Sequence, residues 1–503
     1  MASSSTQTRP LVEIDLSRAA EPSCFAGKDI YFVGIGGCGV SGLARMLRSL
    51  GARCRGSDET AGEFTDLLGR EGFGISFDQS GAAFPSRCDL VIASAAIKPD
   101  HPEVLAARAR DIPVLSYAEA LGRVQAERTG VSIAGTHGKS TTTAMLCHVL
   151  LACGLDPGFI VGARCPQIGG GSRAGADRVP GCGPYAGRPG LLVAEACEFN
   201  RSFHHHRPTL ALIHNVEEDH LDVYGSLEHV VEAFGEFARL VPPAEQGGCL
   251  LIAHDGAHRR EITAGLRCPI KTFGFSPAAD YQVVWDVAVQ RVGLLEQGIW
   301  LTQWTNAMPG EHNALNAAGA AILAHLLGAD WEQIGEALGS FTGLDRRMQR
   351  LGTRAVPGGE IVVYDDYGHH PTEIDATLRA LRMSENPKRL ICVFQPHQHS
   401  RTRFLLEEFA QSFSSADVVI VPHIYFVRDS EIERARVSAR DLVDRLRQRG
   451  VTAMHLYPFE AIVEQLEIMC RDGDLLVIAG AGPVWKVGRA FLEGPGKAGR
   501  RVC

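Results

Sequence analysis

The sequence predicts a three-domain α/β protein. A Rossmann-like N-terminal domain leads into a central P-loop domain on a mostly parallel sheet, and a second Rossmann-like domain closes the chain. Three observations carry this. Short apolar runs alternate with helix-compatible stretches, the pattern of parallel βαβ units. Two glycine-rich turns, residues 34–39 and 135–140, each stand between a strand and a helix. Polar clusters recur at the carboxyl ends of the apolar runs, where doubly wound sheets hold ligands. Length agrees, because 503 residues exceed the roughly 250–300 that one core serves.

Composition narrows the function. Hydrophobic residues are 45% and charged ones 21%, with a net charge of −8. No basic stripe points to nucleic acid, and no polybasic run points to an anionic membrane. No stretch approaches the roughly 20 apolar residues that would insert in a bilayer. Residues 1–8 are polar and lack the apolar centre of a signal peptide, and residues 1–27 read as a flexible tail. The 14 cysteines are scattered, several inside apolar runs such as residues 390–394. They fit reduced thiols of a cytoplasmic protein, expected as a monomer or weak homodimer.

In the first domain, residues 28–125, a strand at 29–33 enters Gly34-Ile35-Gly36-Gly37-Cys38-Gly39 and a helix follows. Gly34, Gly36 and Gly39 satisfy G-x-G-x-x-G, whose backbone can approach a diphosphate on a helix N-terminus. Asp58, after the second strand, is placed to take a ribose hydroxyl. Strands near 89–94 and 112–116 complete a small parallel sheet.

The central domain, residues 126–343, opens with Gly135-Thr136-His137-Gly138-Lys139-Ser140-Thr141. Lys139 would reach the β- and γ-phosphates of a nucleotide and the Ser140 hydroxyl would ligate Mg²⁺. The usual pattern has a further glycine where this chain has Ile133, so the loop is a short form. The strand at 191–194 ends in Glu195-Ala196-Cys197-Glu198. Either Glu195 or Glu198 could complete the magnesium shell, Glu195 being nearer the strand end. Residues 164–189 show no periodicity and read as a long surface loop. Another strand runs into residues 214–222, H-N-V-E-E-D-H-L-D. A β-ribbon is expected over 281–302, then a helix opening with Asn313 and Asn316, whose amides match an adenine edge.

The third domain, residues 344–503, begins at a junction where Arg346 and Arg347 could clamp phosphate or carboxylate. One strand delivers Asp365-Asp366-Tyr367-Gly368-His369-His370 and the next delivers residues 395–403, including His397 and Arg401. Two further strands, 417–421 and 475–479, alternate with helices expected at 404–412, 438–449 and 459–469.

Seven collinear segments also resemble the Mur ligases, amide-forming enzymes of peptidoglycan precursor synthesis, in the family's order. They are G-I-G-G-C-G-V-S-G-L-A (34–44), G-T-H-G-K-S-T-T-T-A-M (135–145), E-A-C-E (195–198), H-N-V-E-E-D-H-L-D (214–222), H-N-A-L-N-A (312–317), D-D-Y-G-H-H-P-T-E (365–373) and F-Q-P-H-Q-H-S-R-T (394–402). The short phosphate loop is the form this family uses. The resemblance implies ATP-dependent addition of L-alanine to the lactyl carboxylate of UDP-N-acetylmuramate, through an acyl phosphate. It makes Gly34, Gly36, Gly37, Gly39 and Asp58 the site of the UDP moiety instead of NAD. It implies Ser140 and Glu195 as ligands of the ATP-bound Mg²⁺ and His220 as ligand of a second metal. Asn313, with Asn316 the weaker candidate, would meet adenine. Arg346 or Arg347, with Asp365, would close the third domain over the nucleotide. Tyr367, His369 and His370, with His397 and Arg401, would surround the alanine and the acceptor carboxylate.

Two departures stand out. Many relatives read E-A-D-E where Cys197 stands here, and no lysine occurs between Lys139 and Lys271, so the carbamylated lysine of several relatives is absent. Residues 422–430 are less familiar and are placed near the amino-acid pocket. The rival readings are a ligase that recycles ready-made peptide, an NAD-dependent dehydrogenase and a P-loop ATPase switch.

Overall fold

The structure, a computed structural model, describes residues 22–427 and 429–494. Three sheets organise it. The first orders its strands Gly74–Ser76, Arg53–Ser57, Asp29–Val33, Leu90–Ala93, Val114–Ser116, all parallel. The second has ten strands, with Thr129–Ala134 between Leu210–Ile213 and Leu191–Glu195. Thr129–Ala134 is buried at every position, as expected of a parallel strand covered on both faces. The third sheet has six strands, centred on Asp474–Ala479 between Gly359–Asp366 and Arg389–Phe394.

Several expectations need correction. Of the tail expected over residues 1–27, positions 1–21 lie outside the described residues, and Phe25 is already buried in the first domain's core. Residues 164–189 are not a structureless loop. Gly158–Cys165 turns back through Pro166–Ile168 into Gly170–Arg173, an antiparallel pair at the sheet edge, and Val179 and Tyr185 are buried beyond it. Apolar periodicity cannot flag so short a hairpin. The helix expected at 404–412 is two, His399–Phe404 and Leu406–Gln411. Strands Gln349–Val356 and Thr452–His455 were unforeseen. Both lie at sheet edges, where one-sided burial removes the continuous apolar run that marks an inner strand.

The central and third domains join through Asp345-Arg346-Arg347-Met348. Arg346 and Met348 have φ of +60° and +46°, a left-handed backbone that side-chain-bearing residues rarely adopt. Asp345 N–H donates to Arg164 O of the central hairpin (2.9 Å) and Tyr367 N–H donates to Arg346 O (2.6 Å). Met348 N–H donates to Asp366 Oδ2 (2.7 Å).

Candidate active site

The phosphate loop leaves the central strand through two glycines that only glycine satisfies. Gly135 has φ +139° and Gly138 φ +85°, and a Cβ on Gly138 would fall 2.3 Å from Asn316 Oδ1. Helix Lys139–Ala152 then starts without a side-chain cap, so its first N–H groups are open to an anion. Beneath the loop, Thr142 Oγ1 pairs with His214 Nε2 (2.6 Å); burial pushes that imidazole down to about 3, which keeps it neutral.

Lys139 Nζ donates to Gly135 O (2.6 Å) and Thr136 O (3.0 Å) and lies 3.0 Å from Glu198 Oε2. Burial pulls this ammonium's pKa down, but the acidic groups around it, Glu198 foremost, together outweigh burial and the net shift is upward. Ser140 Oγ donates to Glu195 Oε2 at 3.0 Å, and Glu195 also accepts the Gly162 N–H. The two acids left open by the sequence therefore divide: Glu195 meets the serine and Glu198 the lysine.

A cavity of about 170 Å³ opens above these groups, and Arg347, His369, His370 and Glu373 of the third domain form its far wall. Glu198, Asp219 and His220 bring one ligand atom each to within 4.8 Å of one another. Burial lowers the pKa of His220, which favours the neutral imidazole that binds metals. Oxygen donors at Ser140, Glu195 and Glu198 with a neutral histidine are a donor set that suits a hard divalent ion. Asp219 is otherwise engaged. Arg401 donates to its Oδ1 from Nε (3.1 Å) and Nη2 (2.9 Å). Burial would raise this carboxyl, but Arg401 holds it far below the carboxylate range.

A second cavity of about 410 Å³ adjoins the loop on its other side. Asn313 and Asn316 line it with Met348 and Asp366. Asn316 Nδ2 donates to Asn313 Oδ1 (3.2 Å), and Asn313 Nδ2 donates to Pro309 O (2.9 Å). Asn316 Oδ1 also accepts from Thr142 Oγ1 (3.3 Å), which ties it to the helix behind the phosphate loop as well as to the cavity.

In the third domain the structure separates two pairs of sequence neighbours. Arg347 and Asp366 face the cavities, whereas Arg346 and Asp365 do not. Asp365 and Asp366 are neighbours on the strand Gly359–Asp366 and point to opposite faces, whereas Arg346 and Arg347 are parted by the left-handed backbone of the junction. Asp365 lies 3.3 Å from Arg346 Nε; burial pushes its pKa up to about 6 against that guanidinium. Arg346 Nη2 donates to Gly480 O (2.5 Å). This pair braces the interdomain junction and lines neither of the two cavities. His370, expected among the catalytic groups, has both ring nitrogens occupied: Nε2 by Glu218 O (3.0 Å) and Nδ1 by Thr372 N–H (3.3 Å). It serves as a helix cap and domain contact. Tyr367 lies under both guanidiniums, 5.0 Å from Arg346 and 4.9 Å from Arg347. His369 and His397 stand 5.8 Å apart between centroids, and Arg401 Nη1 is 3.3 Å from His397 Nδ1. Residues 422–427 dock beside them, Tyr425 N–H donating to Pro396 O (2.9 Å). Arg428, in the same segment, lies outside the described residues.

The first domain places its glycine turn against the central hairpin. Cys38 Sγ is 3.7 Å from Val161 O, one residue from the Gly162 that binds Glu195. Gly34 has φ +77°. Asp58 Oδ2 accepts the Gly36 N–H (2.7 Å), so the carboxylate closes on the turn itself. A Cβ on Gly39 would strike the Tyr117 ring at 2.9 Å; Gly37 stands just before the helix Cys38–Ser49.

Glu217, Asp219 and Glu373 were missed as individual site residues. Glu373 carried a signal, since it ends the capping box His370-Pro371-Thr372-Glu373.

The chain is similar to known proteins along most of its length. Three family models match the chain: "Mur ligase family, catalytic domain" over residues 29–129, "Mur ligase middle domain" over 185–324 and "Mur ligase, glutamate ligase domain" over 346–482. A UDP-N-acetylmuramate–L-alanine ligase of Acetivibrio thermocellus is 36% identical over 93% of this chain and 96% of its own. One from Desulfitobacterium hafniense is 38% identical over 92% of this chain and 99% of its own. The crystal structure of a UDP-N-acetylmuramate-alanine ligase from Thermotoga maritima superposes with a TM-score of 0.75 at 26% identity, covering 93% of this chain and 98% of that one. A three-domain α/β chain that sets a short phosphate loop, paired acids and a closing third domain around one cleft, with these relatives, belongs to the Mur ligase family.

Proposed function

We propose that the chain is an ATP-dependent ligase that joins L-alanine to the lactyl carboxylate of UDP-N-acetylmuramate. The observation that carries the reading is convergence. Lys139 and the open helix start that would hold a triphosphate share a cavity with Arg347 and His369 of the third domain. The glycine turn of the first domain abuts the same region where Cys38 meets Val161, next to the Gly162 that donates to Glu195. A nucleotide switch needs only the loop, and a dehydrogenase has no use for Lys139. The relatives' names supply the acceptor and the amino acid.

The acceptor carboxylate attacks the γ-phosphorus, the bond to the β-phosphate oxygen breaks, and ADP leaves. The amine of L-alanine attacks the acyl carbon of the resulting acyl phosphate, and inorganic phosphate departs with the C–O electron pair. Lys139, kept charged by Glu198, offsets the charge that spreads over the transferring group. Ser140, Glu195, Glu198 and His220 would hold Mg²⁺, which when bound neutralises the repulsion between carboxylate and phosphate. Arg401, fixed by Asp219, presents a guanidinium edge toward His397 and His220, placing positive charge where a carboxylate must stop. A cytoplasmic site of action suits a chain whose described cysteines are all free; among the described residues no helix is long and apolar enough to cross a membrane.

The test is ADP release with UDP-N-acetylmuramate present, adding L-alanine, glycine, L-serine or a tripeptide in turn. Turnover should require both acceptor and amino acid, with L-alanine preferred. ADP release that ignores the acceptor would refute the ligase. Preference for the tripeptide would make it a recycling enzyme.

A further inference from the structure

His137 stands in the middle of the phosphate loop, and its ring bridges two domains. Nε2 lies 3.5 Å from Glu217 of the central domain and Nδ1 3.2 Å from Glu373 of the third. The ring packs on that of His370 with centroids 4.7 Å apart. Glu373 is doubly committed. One oxygen faces His137 while the other accepts the N–H groups of His369 (3.0 Å) and His370 (3.3 Å), closing the first turn of helix Pro371–Glu385. Glu217 accepts from the Thr372 hydroxyl (2.6 Å), and its own N–H donates to Thr136 Oγ1 (2.9 Å). The His137 N–H donates to Asn215 Oδ1 (2.7 Å), so the ring moves with the loop. One imidazole thus separates two carboxylates that belong to two domains. Arg347 also approaches Glu373, but it stays 3.9 Å away.

We propose that His137 is a positioning residue that docks the third domain onto the phosphate loop. By standing between Glu217 and Glu373 it lets helix Pro371–Glu385 seat against the loop, and so registers Tyr367 and His369 opposite the phosphates. The proposal rests on the ligase reading for its kinetic arm, but not for its structural arm. Burial pulls the imidazole's pKa down, yet the two carboxylates outweigh it and raise it to about 9, in keeping with a cation in this seam. Without it, two acids face each other in a poorly hydrated seam, and the third domain lifts away.

Three variants test this: His137→Gln, Glu373→Gln and the double variant. Small-angle scattering with a non-hydrolysable ATP analogue reads domain docking without any turnover. The wild-type chain should compact on binding and His137→Gln should stay more open. The double variant, which removes one of the two facing acids, should recover much of the compaction. In the ligase assay His137→Gln should lower kcat ten- to hundredfold while KM for ATP moves less than about threefold, and the double variant should regain several-fold in kcat. If His137→Gln compacts like wild type, or if its whole effect is a weaker KM for ATP, the positioning role is wrong. Strictly additive effects of the two substitutions would also overturn it. Glu373→Gln, on the other domain, reads the same contact should His137→Gln fail to fold. An inactive wild-type chain that still compacts would count against the ligase reading alone.

Discussion

Replacing Lys139 by alanine separates catalysis from stability at the phosphate loop. The lysine side chain is 15% exposed and that of Glu198 3%, so truncation strands a carboxylate that is almost entirely out of water. Removing one partner of a buried pair costs about 3–5 kcal/mol. The adjoining cavity of about 170 Å³ would admit water to the orphaned acid, which argues for the lower end, about 3 kcal/mol. For a domain of roughly 150–250 residues each kcal/mol moves the midpoint by about 2–4 °C, so the central domain should melt about 6–12 °C lower. The double variant Lys139→Ala/Glu198→Gln removes the stranded charge and should recover more than half of that loss. Turnover should fall at least about a thousandfold in both, since a neutral amide in place of the Glu198 carboxylate cannot restore the cation. The measurement is differential scanning calorimetry at pH 8 in chelator, with ADP release assayed separately in Mg²⁺. Chelator keeps a divalent ion from replacing the ammonium. High pH keeps His220, 3.9 Å from Glu198, from protonating to do the same. A Lys139→Ala midpoint within about 2 °C of wild type, or a double variant no more stable than the single, would refute the reasoning.

Three further outcomes follow. His137, with a folded pKa raised to about 9 from about 6.5, contributes stability that is whole below pH 6.5 and is lost as pH rises through 9; the stability difference between wild type and His137→Gln should shrink over that window in urea titrations. In Gly36→Ala the new Cβ would lie 2.8 Å from both Asp58 Oδ2 and Thr65 Cγ2, so KM for the sugar nucleotide should rise about tenfold, about 1.4 kcal/mol, with KM for ATP unchanged. Arg347→Ala should lower kcat ten- to hundredfold, whereas Arg346→Ala should chiefly destabilise the chain by about 1–3 kcal/mol, because it leaves Asp365 buried without its partner; steady-state kinetics and thermal melts distinguish the two.

Backbone demands were the most legible part of the site. Gly135 and Gly138 are written into the chain because no other residue meets their φ or their neighbours, and the inner strands show themselves as unbroken apolar runs. Side-chain direction was not legible. Asp365 and Asp366 are consecutive, as are Arg346 and Arg347, and only the phase of the strand and junction decides which of each pair enters the cleft. Partners distant in sequence were equally hidden. Glu217 reads locally as one acid in a polar turn, and Glu373 as the end of a helix cap, until folding brings both to His137. His370 shows the converse: a histidine in a rich motif whose two nitrogens are used up by Glu218 and Thr372.

The junction between the second and third domains has a consequence for how the cleft opens. Asp345 is held from both sides, its N–H by Arg164 O of the central hairpin and its Oδ1 by Gln349 Nε2 (2.9 Å) of the third domain, while Arg346 is bonded forward to Tyr367 and Gly480. Allegiance passes from one domain to the other at this residue. The third domain should therefore turn about a point and not slide along a flexible tether, and its arc is set by the torsions at residues 345 and 346. The left-handed backbone of Arg346 and Met348 makes that pivot stiff, since rotation away from the docked pose first has to break the contacts that hold it. A spacer inserted between 345 and 346 would keep every catalytic side chain and still lose the aim of one half of the cleft at the other.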